Sequence, residues 1–420
     1  VTEWFTRGRE HVWLPYTRML YAPESLQVKT AHDCRLILED GRELIDGISS
    51  WWSMCHGYQH PAIVGAIRDQ AEKLSHVMFA GLAHEPAYRL AAELSSMTGL
   101  ARVFFSDSGS TAVEVALKMA MQYWQNKGKT RKTKLIHFAN GYHGDTFGAM
   151  SVSGRSGFHK AYDSLTTRHF QLEIPEDEYS MAECADTIAA IADSTAALII
   201  EPLVQGAGGM HFHSPDVLAA LRSLCREHEI LFIADEVMTG FYRTGNRFAC
   251  DEAGITPDIL CLGKALTGGH IGLAATLASQ QVFDAFLSDQ FEHALMHGPT
   301  FMANPLACAA ALASCQLFAQ EDYSEKAARI ETHLREALQP LEGLKGVADV
   351  RVCGAIGVVQ LQSEQSDMFA LREECVNRGI WLRPFGTCFY LMPPLVIQQG
   401  DLQQLTDVTR DVITGWSQSL

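Results

Sequence analysis

Four short stretches carry side chains suited to chemistry on a small molecule. Lys264 ends an apolar run in DILCLGKALTGG (258–269). Asp235 and Glu236 end another in ILFIADEVMTGFYRTG (230–245), 29 residues before the lysine. FFSDSGSTAVEVAL (104–117) passes from apolar residues into Ser-Asp-Ser-Gly-Ser and then a helical pattern, with capping-box spacing at Thr111 and Glu114. FANGYHGDTFGAMS (138–151) sets Tyr142, His143 and Asp145 among three glycines.

Taken singly, each stretch has a plain structural explanation: a solvated lysine, a cap after a strand, a capped helix, a surface turn. Together they suit one ligand, a flat aromatic ring with a protonated nitrogen, an aldehyde and a phosphate. A lysine amine meets the aldehyde, and a carboxylate buried at a strand end needs a cationic partner such as the ring nitrogen. A helix start takes the phosphate, and an aromatic residue among glycines lies on the ring. That ligand is pyridoxal 5′-phosphate. A P-loop is excluded, because no GxxxxGK[ST] occurs. His211 and His213 in MHFH share one face of a short strand but lack a third ligand at a recognisable spacing, so no metal site is expected.

The elements that must hold these residues alternate. Strand patterns at 103–107, 134–140, 196–204, 230–235 and 259–263 are separated by helical ones at 111–125 and 217–229. The expectation is an α/β chain with a mainly parallel sheet covered by helices, and chemistry at the carboxyl ends of its strands. Residues 51–310 would form this large domain. Residues 1–50, with a hairpin turning at Asp40-Gly41, and 311–420 would form a smaller α+β domain built from both termini. The glycines after Lys264 are expected to let backbone pass close to the ligand.

The 420 residues carry a net charge of −16, which repels phosphate backbones and argues against nucleic-acid binding. Eleven scattered cysteines read as reduced core residues of a cytoplasmic protein. The longest stretch free of Asp, Glu, Lys and Arg, 293–320, is interrupted by prolines. It reads as a buried loop and core helix rather than a membrane span.

The chain resembles the class III (ω-amino-acid) aminotransferases of the pyridoxal-phosphate fold type I. The likeness rests on IIEPLVQGAGG, the Ala-Asp-Glu strand end, Arg-Thr-Gly, PDILCLGKALTGG and GPTFMANPLACAAA, all in order. WLPYT (13–17), DGISSWWSMCHGYQHP (46–61), SHVMF (75–79), NGYHGDTFGAMS, MHGPTF (296–301) and WLRPFG (381–386) narrow it to the branch that serves biotin biosynthesis. Met238 stands where many class III relatives carry glutamine, which fits that branch, and Leu14 replaces its frequent histidine.

The resemblance implies these roles. Lys264 would join the cofactor covalently and move the proton, and Asp235 would pair with the ring nitrogen. Gly109 and Ser110 would bind the phosphate, with Pro299 and Thr300 completing that site from the other subunit of a homodimer with shared active sites. Tyr142 would lie against ring and substrate, and Tyr16, Trp51, Trp52, Asp145, Gly298 and Arg383 would contact substrates. Those substrates would be 8-amino-7-oxononanoate and, as amino donor, S-adenosylmethionine, or lysine as in some relatives.

Overall fold

The computed structural model describes residues 1–154, 159–362 and 368–420. Its centre is a seven-stranded sheet: β1 (Arg102–Ser106), β2 (Lys134–Phe138), β3 (Phe170–Leu172), β4 (Thr195–Ile200), β5 (Leu231–Asp235), β6 (Ile259–Leu262) and β7 (Ala274–Ala278). The spatial order is β1-β7-β6-β5-β4-β2-β3. Strands β4 to β7 are buried along their whole length, as a sheet covered on both faces requires.

Six strands run one way and β7 runs against both its neighbours. Its sequence, AATLA, is as apolar as a parallel strand, and burial alone carries no direction. Because β7 is reversed, β1 still delivers its carboxyl end to the same edge as β2, β4, β5 and β6. All four chemistry-bearing stretches leave from that edge. Asp235 is in register with Cys261, three residues before Lys264.

Smaller sheets come from the chain ends. The hairpin expected at Asp40-Gly41 pairs Arg35–Leu38 with Glu43–Asp46, and Gly41 takes the left-handed conformation its turn demands. Ile380–Trp381 adds in parallel to Glu43–Asp46. A second antiparallel sheet joins Val347–Cys353, Ile356–Leu361 and Cys388–Leu391.

Two local expectations are corrected. The helix after β1 begins at Gly109, and its capping box is Ser108 with Thr111, not Thr111 with Glu114. Glu114 instead accepts the Gly148 N–H at 2.7 Å. The charge-free stretch divides: Pro305–Gln320 is a core helix started by Asn304, but the preceding loop is not buried, and Met296 and Phe301 are exposed. Among the described residues no helix is long and apolar enough to cross a membrane.

Candidate active site

Gly263 is extended, and the chain then turns sharply. Lys264 sits at φ +45°, a left-handed conformation that costs a non-glycine residue roughly 1 kcal/mol or more. The turn is closed by Leu266 N–H on the Gly263 carbonyl (2.9 Å) and Gly268 N–H on that of Ala265 (2.8 Å). Lys264 Nζ stands 4.3 Å from the centre of the Trp52 ring. Burial lowers the amine to about 8, while the Asp235 and Glu201 charges act the other way. Gly268 and Gly269 make close approaches within the chain. A Cβ on Gly268 would lie 3.0 Å from His56 Cδ2, and one on Gly269 would strike the Met54 sulfur. These glycines admit the segment Ser53–His56.

Asp235, buried at the end of β5, accepts the Val237 N–H on Oδ1 (3.2 Å) and faces His143 Nδ1 through Oδ2 (2.7 Å). Burial alone would lower the His143 imidazole, but the hydrogen bond and charge of Asp235 outweigh it and hold it above its ordinary value. Glu201, at the end of β4, is a second buried carboxylate. It accepts the Tyr142 N–H (2.8 Å) and the Gly206 N–H (2.9 Å), and burial raises it to about 7. Glu201 thus fixes the backbone from which the Tyr142 ring projects.

Three polar groups close on one another above. Tyr16 Oη lies 2.9 Å from Tyr142 Oη, Tyr142 Oη donates to Asp145 Oδ1 at 2.9 Å, and Tyr16 Oη donates to Asp145 Oδ2. Burial and the Asp145 hydrogen bond push the Tyr16 phenol up to about 12, so it stays a neutral donor. The Arg383 guanidinium lies 4.7 Å over the Trp51 ring.

The paired tryptophans sit on a strained turn, with Ser49, Ser50 and Trp52 all at positive φ. Buried Asp46 holds it by accepting the N–H groups of Ile48 (3.0 Å) and Ser50 (2.5 Å) and the Tyr58 hydroxyl (2.6 Å). Buried Arg243 braces the far side through the Pro393 carbonyl (2.7 Å). Strain of this kind persists only where its surroundings over-determine it.

These parts surround a cavity of about 930 Å³. Tyr16, Trp51, Trp52, Tyr142, Asp145, Lys264 and Arg383 line it, so seven of the residues expected from the sequence are gathered at one place. Gly109, Ser110 and Asp235 do not line it. A Cβ on Gly109 would lie 2.7 Å from Val237 Cγ1, which seats the helix start on the segment after Asp235. Ser110 Oγ lies 2.8 Å from Thr146 Oγ1 and accepts the Thr146 N–H. Gly298, Pro299 and Thr300 do not line the cavity of their own chain either; Gly298 and Thr300 are exposed.

Sequence reasoning missed Arg372, Phe369, Phe385 and Tyr390 on the cavity wall, and Glu201 behind it. Tyr390 accepts the Trp52 indole N–H at 3.1 Å. Its strand, CFYL, reads as plain core. His213 Nε2 lies 3.0 Å from the Glu201 carbonyl, and among the described residues no group of three His, Cys, Asp or Glu could hold a metal ion.

The donor set fits the cofactor inferred from the sequence. An amine lowered towards neutrality stands one strand from a buried carboxylate whose only ion-pair partner among the described residues is His143. A helix start carrying Gly109 and Ser110 opens at the same sheet edge.

The aminotransferase class-III family model matches residues 19–413. The adenosylmethionine-8-amino-7-oxononanoate aminotransferase of Synechococcus elongatus is 45% identical over 96% of this chain and 98% of its own. The enzyme of that name from Mycobacterium leprae is 43% identical over 96% and 94%. Among solved structures, the Methanocaldococcus jannaschii enzyme of the same name superposes with a TM-score of 0.94 at 33% identity, covering 98% of each chain. An amine transaminase from an uncultivated Pseudomonas species, solved in its PLP-bound form, gives 0.91 at 34%, covering 96% of this chain and 98% of its own. The chain therefore belongs to the class III aminotransferases and is a pyridoxal-phosphate-dependent enzyme.

Proposed function

We propose that the protein transfers an amino group from S-adenosylmethionine to 8-amino-7-oxononanoate, giving 7,8-diaminononanoate in biotin biosynthesis. The observation that carries this reading is the one cavity that joins Lys264, an arginine stacked on tryptophan, and the Tyr16–Asp145 pair. The names of the relatives support it.

The keto acid has a carboxylate at one end of an apolar chain and its ketone near the other. Arg383 offers a planar fork for the carboxylate, and Trp51 and Trp52 flank the methylenes. The donor carries a sulfonium cation. Asp145 supplies the opposing charge, and the Tyr16 ring gives an aromatic face beside it. Met238 and Trp52 both lie against Gly206, so the ground behind Trp52 is apolar.

Asp235 would hold the ring nitrogen, Gly109 and Ser110 with the helix start the phosphate, Tyr142 the ring face, and Lys264 the aldehyde carbon. Bound there, pyridoxal phosphate supplies an electron sink for the substrate carbon and carries the amino group between two half-reactions. Lys264, lowered to about 8, would take the proton from the substrate carbon as a general base and deliver it, on the same face, to the carbon that was the cofactor's aldehyde. Asp235 would face the protonated ring nitrogen, and His143 orients the Asp235 carboxyl through Oδ2. Tyr142 excludes water from one face.

The enzyme works as a homodimer in this reading. Met78, Leu82, Tyr88, Phe291, Met296 and Phe301 are large apolar side chains left exposed in the single chain. The loop carrying Gly298, Pro299 and Thr300 belongs to this set and would complete the phosphate site of the partner. Eleven free cysteines fit the reducing cytoplasm.

A coupled assay tests the reading. Purified enzyme given 8-amino-7-oxononanoate should form the diamine with S-adenosylmethionine. Diamine formed only with lysine would move the donor, and none with either would reject the substrate.

A further inference from the structure

The segment Met54–His60 packs beside the site, but the hydrogen bonds of its His56 have no part in it as described so far. His56 within it is buried, at 3% exposure, and so are its two polar partners, Ser314 and Tyr323. Ser314 Oγ donates to the Ala265 carbonyl at 3.2 Å, and a carbonyl can only accept. With its hydrogen spent there, Ser314 Oγ must accept from His56, whose Nε2 lies 2.9 Å away and so carries the ring hydrogen. In a neutral ring Nδ1 is then an acceptor, and it meets the Tyr323 hydroxyl at 2.5 Å. The hydrogens run one way: Tyr323 to His56 to Ser314 to the Ala265 carbonyl. Burial holds His56 down at about 3, and His60, His270 and Lys326 push the same way, so the ring stays neutral at any working pH.

The end of this chain is the carbonyl directly after Lys264. Ala265 O also receives Gly268 N–H at 2.8 Å and Cys55 Sγ at 3.7 Å. Lys264 holds φ +45°, a conformation its side chain disfavours. Rotation back to negative φ would turn the Ala265 carbonyl away from Ser314. It would leave buried polar groups unpaired, at about 1–3 kcal/mol each. Gly268 and Gly269 receive the same segment that carries Trp51 and Trp52 a few residues earlier. One buried network thus ties the cavity wall to the amine.

We propose that His56 is a positioning residue for transamination: through Ser314 it locks the Ala265 carbonyl and with it the left-handed turn that aims Lys264 into the cavity. The proposal rests on the reading of Lys264 as the proton-moving amine.

The test uses the holoenzyme with Ser314→Ala, which removes the link to Ala265, and Ser314→Cys, an isostere with a weaker donor. Readouts are the pH titration of the cofactor's visible band, kcat and KM for each half-reaction, and the rate at which apoenzyme takes up pyridoxal phosphate. Ser314→Ala should keep a visible band, lose about tenfold in kcat in both half-reactions with KM within about twofold, and shift the band's pH midpoint by about half a unit. Ser314→Cys should fall between it and the wild type. A lowered melting temperature with unchanged kcat and midpoint overturns the proposal. Should Ser314→Ala fail to fold, Tyr323→Phe, which leaves His56 Nδ1 unpaired, carries the test with the same two outcomes. Lys264→Ala separates the levels: a lysine-type visible band together with turnover surviving in that variant defeats the reading of Lys264 itself.

Discussion

His143 Nδ1 lies 2.7 Å from Asp235 Oδ2, and both side chains are buried at the carboxyl edge of the sheet. The imidazole is raised by that contact, so it binds its proton more tightly folded than unfolded. A raised group contributes stability that is complete below its ordinary value of 6.5 and is lost as pH rises through the raised one. The melting temperature of wild-type apoenzyme should therefore exceed that of His143→Gln most below pH 6.5, with the gap narrowing as pH rises above it. Thermal melts on either side of that pH check it, and a constant gap would contradict it.

Lys264 leads to a kinetic prediction. Only a neutral amine attacks an aldehyde, so capture of pyridoxal phosphate by apoenzyme should accelerate with pH, with its midpoint at about 8 and a plateau above it. The Asp235 charge raises the amine, so Asp235→Asn should move the midpoint lower. Stopped-flow absorbance reads both. A midpoint that rises in the variant would reverse the sign of the coupling.

Arg383 should act on one substrate more than the chemistry. Arg383→Ala removes a charge-assisted pair with the keto-acid carboxylate, worth about 10- to 100-fold in KM, with kcat changed less. Arg383→Lys should recover only part, because an ammonium lacks the planar fork and the stacking on Trp51. Steady-state kinetics with varied keto acid settle the split.

Tyr16→Phe keeps the ring and deletes the hydroxyl shared with Tyr142 and Asp145. The donor half-reaction should weaken by about tenfold, with the keto-acid half-reaction close to wild type. Single-turnover measurements of each half-reaction distinguish this from a general loss.

Much of the site was legible because glycines and strand ends mark it. Lys264, Asp235 and Tyr142 each follow a buried apolar run, where a polar side chain needs a reason. Glu201 has the same signature in IIEPLV, but only the fold shows it standing on the Tyr142 amide. Arg372 and Tyr390 reach the cavity from elements whose patterns read as ordinary helix and core. The reversal of β7 left no trace, since an apolar strand looks alike in either direction. At Gly268 and Gly269 the fold brings in Ile63, His56 and Met54, neighbours far away in sequence that a local pattern does not show. Pro299 and Thr300 were expected to serve a partner's site, and within the single chain they stand away from the cavity.

Colour offers the most direct measurement of the central claim. The purified protein should be yellow, bleach on adding S-adenosylmethionine alone, and recover its colour on adding 8-amino-7-oxononanoate. Lys264→Ala should show neither the lysine-linked band nor the cycle. A wild-type band that neither bleaches with the donor nor returns with the keto acid would contradict the proposed reaction.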